Sequence, residues 1–341
     1  MIIPFFIPHS GCPHQCVFCN QKNITGRKKP VDSSAIPDTV NGYLKTATAG
    51  DAVQIAFYGG SFTALPLERQ KAFLEAARPF IDSRQVESIR VSTRPDCISR
   101  ENLALLREFR VRTIELGAQS MDDRVLALSG RGHTAADTVK AVKLLREEGF
   151  IIGLQLMAGL PGDSFDGFHD SVDRTIGLKP DFVRIYPALV IKSTPLEDLY
   201  ARGRYSPLSL EEAVKQCRDA MVRFERAGIE VIRVGLQPTE ELERSGTIVA
   251  GPYHPAFRQL VESSSFLDKM RMGLAESKGN AEVAVLLVNP RDVSAAIGQK
   301  RSNVGILKRE FGLKTVSILP DPKVPRGSVI TENGLSGSGK I

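Results

Sequence analysis

No apolar run in this 341-residue chain approaches the length of a membrane span. The opening MIIPFFIPHS is apolar but lacks the basic segment that begins a secretory signal, so it reads as a buried strand. Cysteine is scarce, five residues in all, which excludes a disulfide scaffold and suits a reducing cytoplasm. No second cysteine pair is present to complete a zinc ribbon. No repeat is visible beyond an alternation of β-rich and helical stretches. The composition, 42% apolar and 25% charged, is that of a soluble globular protein. The length fits one large or two ordinary domains.

What cysteine there is clusters. Cys12, Cys16 and Cys19 lie in GCPHQCVFCN with the spacing C-x3-C-x2-C. Thiolates so close in sequence share one inorganic centre, because thiolate is the soft ligand that iron–sulfur clusters and zinc prefer. Three thiolates on a four-iron (4Fe-4S) cluster leave one iron open. A closed zinc site needs a fourth ligand, and His14 is the local candidate. Cys97 and Cys217 are single and distant.

Short strands alternate with helical patterns. Strands are expected at residues 2–7, 53–58, 89–93, 113–116, 150–156 and 182–186, several of them continuous apolar runs suited to a buried parallel sheet. A helix over 134–148 should place Val139, Val142 and Leu145 on one face. Another over 210–227 carries the stripe Ala213, Cys217, Ala220, Met221 and Phe224, opened by a Ser209/Glu212 capping box. That stripe makes Cys217 core. Six β/α units fit an α/β partial (β/α)6 TIM-like barrel, with its site at the carboxyl ends of the strands, where the cysteine loop falls.

Those strand ends hold further candidates. Gly59 and Gly60, followed by Ser61, allow backbone to approach a ligand closely. Glu115 is either functional or a satisfied core carboxylate. Gln119 can hold ribose hydroxyls or orient a substrate. Arg131, in GRGHT, can pair with a carboxylate bidentately. His133 is either a capping residue or a proton donor. The sequence AGLPG at 158–162 reads as a tight turn.

The spacing and its setting resemble the radical S-adenosylmethionine (SAM) enzymes. The resemblance implies a 4Fe-4S cluster on Cys12, Cys16 and Cys19 whose open iron chelates SAM. One-electron reduction, by a donor such as flavodoxin or ferredoxin, then yields a 5′-deoxyadenosyl radical. It further implies cofactor contacts from Phe18, Gly59, Gly60, Ser61, Gln119 and Arg131. GGSFTALP, STRPDCIS, ELGAQSMDD, GRGHT, GLPGD and RIYPALVIKSTPLEDLYARGRY, together covering about 8–238, resemble the Elongator catalytic subunit and its bacterial cousins. That family acts on the wobble uridine of transfer RNA. Nothing after Pro238 resembles its acetyltransferase domain, and Ser92 stands where those relatives carry Glu. Oxygen-independent coproporphyrinogen oxidases share the GRGHT-like and GLP-like turns and give a small-molecule alternative. A non-catalytic cluster-containing RNA-binding regulator is a third.

The domain plan is a radical SAM core at 1–238, a helical connector at 239–278, a small α+β unit at 279–320 and a disordered tail at 321–341. From residue 279 onward nine basic residues face five acidic ones, a balance of +4 within a chain of net charge +6. Its β-α-α-β order, with Gly298, Gln299, Lys300 and Arg301 at the helix junction, resembles a minimal KH domain. Arg301 replaces the second Gly of the GXXG loop. Lys300 and Arg301 can engage phosphates, and Lys22, Arg27, Lys28 and Lys29 can extend a basic track. The alternative is a packing or dimerisation unit. The expected partners are RNA, transfer RNA foremost, with neither DNA nor membrane, and the expected location is cytoplasmic.

Overall fold

The computed structural model describes residues 1–7, 9–21, 31–48, 50, 52–244, 246–276 and 282–332. Lys22, Arg27, Lys28 and Lys29 lie outside the described residues. The chain divides into two compact units, one of Met1–Gln216 and Arg223–Tyr253, the other of Cys217–Val222 and His254–Ile341. The boundary thus falls after Tyr253 and not at 238.

In the first unit the strands are β1 (Ile2–Phe6), β2 (Gln54–Tyr58), β3 (Ser88–Thr93), β4 (Val111–Gln119), β5 (Ile151–Ala158), β6 (Phe182–Pro187), a short β7 (Val190–Ile191), β8 (Glu230–Val234) and β9 (Ile248–Ala250). Seven of them form one sheet in the order β1-β2-β3-β4-β5-β6-β8, every neighbour parallel. This is a half-barrel of the expected class with one strand more than the sequence showed. β8 was hidden because Glu230 and Arg233 break its apolar run. Alternate residues sort the two faces of the sheet. Ile55, Phe57, Ile89, Val91, Val183 and Ile185 are fully buried, whereas Tyr58, Arg90, Ser92, Arg184 and Tyr186 are only half-buried.

The helices close where local chemistry dictates. Thr134 and Asp137 form a reciprocal capping box at the start of the helix Ala135–Glu147, as Ser209 and Glu212 do for Leu210–Arg226. The stripe from Ala213 to Phe224 is buried as expected, and burial pushes the Cys217 thiol pKa up. Val139 departs from expectation at 43% exposed. Six positions separate it from Leu145, which turns it well away from that residue's face, and Ala141 and Val142 fill the core side instead.

In the second unit β10 (Val283–Val288), β11 (Thr315–Pro320) and β12 (Val329–Glu332) are ordered β11-β10-β12, with β11 parallel and β12 antiparallel to β10. Helices Val293–Ile297 and Ser302–Phe311 lie between β10 and β11 in sequence. Phe266, Met270, Leu286, Val288, Ala296 and Leu307 make the core. Two expectations are corrected here. The stretch 239–278 is not one helical connector: β9 pairs with β7 in the first unit, whereas the helix Phe257–Glu276 supplies Phe266 and Met270 to the second. The tail is ordered to residue 332. Its Gly- and Pro-rich composition conceals an edge strand pinned by side chains: Asn289 Nδ2 donates to the Val324 carbonyl at 2.9 Å and Lys269 Nζ to that of Gly327 at 2.7 Å. Residues 333–341 lie outside the described residues. No helix among the described residues is long and apolar enough to cross a membrane.

Candidate functional site

The cysteine loop leaves β1 at the carboxyl edge of the sheet and is tied down by segments far away in sequence. Ser61 N donates to the Ser10 carbonyl at 3.0 Å, Val17 N to that of Ser129 at 3.1 Å, and Leu196 N to that of Val17 at 2.9 Å. Glycines are required where these segments meet. A Cβ on Gly60 would overlap the carbonyl oxygens of Ile7 and Ser10, and one on Gly11 would overlap that of Ser61. Gly132, at φ +68°, leaves room for the ring of His14. So Gly60 is glycine because the cysteine loop lies against it, a closer reason than room for a ligand.

The three thiols lie near enough to influence one another's ionisation. Burial raises the pKa of Cys12, and the neighbouring Cys16 adds to this. Cys19 is pushed up to about 12 by burial, then by Cys16 and Cys12. A cationic centre bound between such thiols favours their thiolate forms. A set of three thiols suits an iron–sulfur cluster, which Cys12, Cys16 and Cys19 would hold. Among the described residues no three His, Cys, Asp or Glu side chains are spaced to hold a single metal ion.

Arg131 is 5% exposed. Its Nη1 donates to Cys16 Sγ at 3.0 Å and its Nη2 to the Gly117 carbonyl. Arg94, which the sequence reading missed, pairs bidentately with Asp96 at 2.9 and 3.0 Å and donates to the Arg131 carbonyl. His133 is buried, and burial, with Arg131 and Arg94 nearby, lowers its pKa to about 4. It is neutral at physiological pH. Ser61 lies beneath the glycine turn, its Oγ 3.0 Å from Thr93 Oγ1 and accepting from Arg94 N at 3.2 Å. Phe18 packs against the buried cluster of Val125, Met157, Leu160 and Ala188. Gln119 adopts a left-handed backbone at φ +68°, and its Oε1 accepts from Gln155 Nε2 at 3.1 Å.

Glu115 is a satisfied carboxylate. Arg90 Nη1 reaches its Oε1 at 2.8 Å and Arg184 Nε its Oε2 at 2.8 Å, while Tyr58 OH donates to Oε1 at 3.3 Å. Arg90, Arg184 and Tyr58 were also missed. The available signal was their phase: in SIRVST and FVRIYP each arginine alternates with buried aliphatics, so it faces away from the helices. In the second unit Gly298 sits at φ +75°, and the exposed Lys300 and Arg301 take left-handed backbone at φ +50° and +62°.

The profile described as the radical SAM superfamily matches residues 6–175, and that of the radical SAM C-terminal domain matches 180–265. Together with the half-barrel and its cysteine loop, these matches define the class: the chain belongs to the radical SAM superfamily, and it is an enzyme. Within the superfamily it is similar to the tRNA uridine(34) acetyltransferase of Methanocaldococcus infernus, 28% identical over 246 residues, 60% of this chain and 46% of that protein. It is also similar to the heme chaperone HemW of Bacillus subtilis, 28% identical over 223 residues, 64% of this chain and 59% of that protein. The solved structure of Methanocaldococcus infernus Elp3 with an N-terminal deletion shares the fold, with a TM-score of 0.61 at 22% identity, covering 79% of this chain and 63% of that one. The chain spans about half the length of the tRNA uridine(34) acetyltransferases it matches.

Proposed function

We propose that this enzyme holds a 4Fe-4S cluster on Cys12, Cys16 and Cys19 and uses SAM to modify RNA, most specifically transfer RNA. The observation that carries the reading is the docking of a three-thiol loop on the Gly59 and Gly60 turn, with Arg131 at the sulfur of Cys16. The cluster and SAM, when bound, supply a 5′-deoxyadenosyl radical that abstracts hydrogen from the substrate. The chain's own residues do the rest. The thiolates would fix the cluster, Arg131 sets positive charge beside Cys16, and Phe18 anchors the loop on the apolar cluster that includes Met157 and Leu160. A flavodoxin or ferredoxin provides the electron.

Two observations support RNA as substrate: the tRNA-modifying relatives, and the basic loop of Lys300 and Arg301 between two helices of the second unit. Their exposed charges on a fixed backbone suit phosphate contacts. The HemW relative favours a second reading, chemistry on a small molecule or on haem. Comparing nucleosides in RNA from cells with and without the gene decides between them. A modified nucleoside lost with the gene and restored by wild type, but not by Cys16→Ala, supports RNA modification. Unchanged nucleosides alongside copurified haem would replace it with the second reading.

A further inference from the structure

The helix-free face of the half-barrel carries more arginine than carboxylate. Arg90 on β3 and Arg184 on β6 share Glu115 on β4, and the side chains of these three are 12%, 14% and 6% exposed. Register places a third arginine beside them: Arg233 on β8 pairs directly with Arg184, so it lies on the same face. Arg233 has no ion pair among the described residues. Glu115, Tyr58 and Tyr186 hold the Arg184 guanidinium charged against the burial that would discharge it. Register also sets the exposed Glu230 of β8 opposite Phe182 at the strand's start. Three guanidinium groups against Glu115 and Glu230 leave one positive charge on this half-buried face, with Glu115 the only carboxylate paired to Arg90 and Arg184 among the described residues. Uncompensated charge there is costly, and such a surface draws in anions.

We infer that this face is an oxyanion-binding site, recognising a phosphate or carboxylate group of the molecule that enters the half-barrel. Arg233 is the open donor. Arg90 and Arg184 supply field and remaining N–H groups, and Glu115 sets the site's strength by competing for both. Tyr58, immediately before the Gly59 and Gly60 turn, joins the network at the end nearest the cysteine loop. The inference rests on charge and register in the first unit and stands apart from RNA binding by the second.

The test is calorimetric titration of the reconstituted full chain at low ionic strength with four probes: inorganic phosphate, uridine 5′-monophosphate, uridine and acetate. The anions should bind, and uridine should bind at least about tenfold more weakly than its monophosphate. Arg233→Gln should weaken anion binding by about tenfold, whereas Glu115→Gln should tighten it by releasing two guanidinium groups. The opposite signs separate a binding role from a structural one, which would make both changes harmful or neutral. Monophosphate binding tighter than phosphate identifies a nucleotide as the source of the anion; acetate binding as tight as either identifies a carboxylate. If Glu115→Gln does not fold, judged by circular dichroism, Arg233→Gln decides alone. Anion affinities that are undetectable in the wild type, or equal in the wild type and Arg233→Gln, would overturn the inference. Changing Lys300 and Arg301 to Glu should leave these affinities intact, so failure of RNA recognition and failure of this site are told apart.

Discussion

Arg131 Nη1 donates to Cys16 Sγ at 3.0 Å, bridging 115 positions of sequence. The sequence suggested a free guanidinium waiting for a carboxylate, but the structure turns one edge of it to the cluster loop. Removing that charge should make the cluster harder to reduce. Arg131→Ala is expected to lower the midpoint potential in an EPR-monitored redox titration. Arg131→Lys should fall between, since it keeps charge but loses the planar fork. An unchanged potential in Arg131→Ala would remove this role.

Anaerobically reconstituted protein should carry about four irons. Ala at Cys12, Cys16 or Cys19 should abolish iron retention. Cys97→Ala should retain it, as should Cys217→Ala, whose site is a filled apolar stripe in the helix Leu210–Arg226. Iron analysis with the charge-transfer absorption checks each. Full retention in Cys16→Ala would exclude the ligand set.

Gly60→Ala tests the interlocked turns. Its Cβ would meet the backbone of Ile7 and Ser10, so the cysteine loop must shift at a cost of about 2 kcal/mol or more. Lower iron incorporation and a lower Tm are expected together, before any measurement of SAM binding. Weakened SAM binding at full iron content and wild-type Tm would return this glycine to a purely cofactor-contacting role.

Arg301 takes left-handed backbone at φ +62° where a GXXG loop has glycine. Arg301→Gly relieves that conformation but gains unfolded-state entropy, so stability should stay within about 1 kcal/mol. RNA affinity should nevertheless fall. Changing Lys300 and Arg301 together to Glu should lower it by more than about tenfold at low salt and reduce the salt slope by about two. Filter binding across a salt series reads both.

Asp163 ends the GLPGD turn, and burial raises its pKa to about 6. Its folded pKa lies above the unfolded value, so the buried carboxylate destabilises the fold above pH 6. The penalty fades as pH falls through 6 toward 4. Asp163→Asn should therefore stabilise at pH 7.5 by about 1–2 kcal/mol and give no gain near pH 4. His133 contributes the reverse slope, because a base with lowered pKa loses stability on acidification between 6.5 and about 4. Urea denaturation of the variant against wild type at both pH values isolates Asp163.

The strands and the cysteine loop were legible because each is local: apolar runs mark β1 to β6, and ligand spacing marks the thiols. The long-range fits were not. Gly132 resembles a helix-opening residue until His14 is found on it, and Gly60 resembles a ligand cradle until Ile7 is found against it. The Arg90, Glu115 and Arg184 network joins three strands spread over about a quarter of the chain, a relation that only sheet register reveals. β12 escaped notice because four residues in a Gly- and Pro-rich stretch carry little pattern. It is held by pairing with β10, and Asn289 and Lys269 tie down the stretch just before it.

The anchors of the cysteine loop also set an order of maturation. Ser61, Ser129 and Leu196 each bond the loop, so its shape is complete only once segments far along the chain have been made. In the order of synthesis the three thiols precede the segments that seat them. If these thiols hold the proposed cluster, its insertion is expected to follow closure of the half-barrel around the loop.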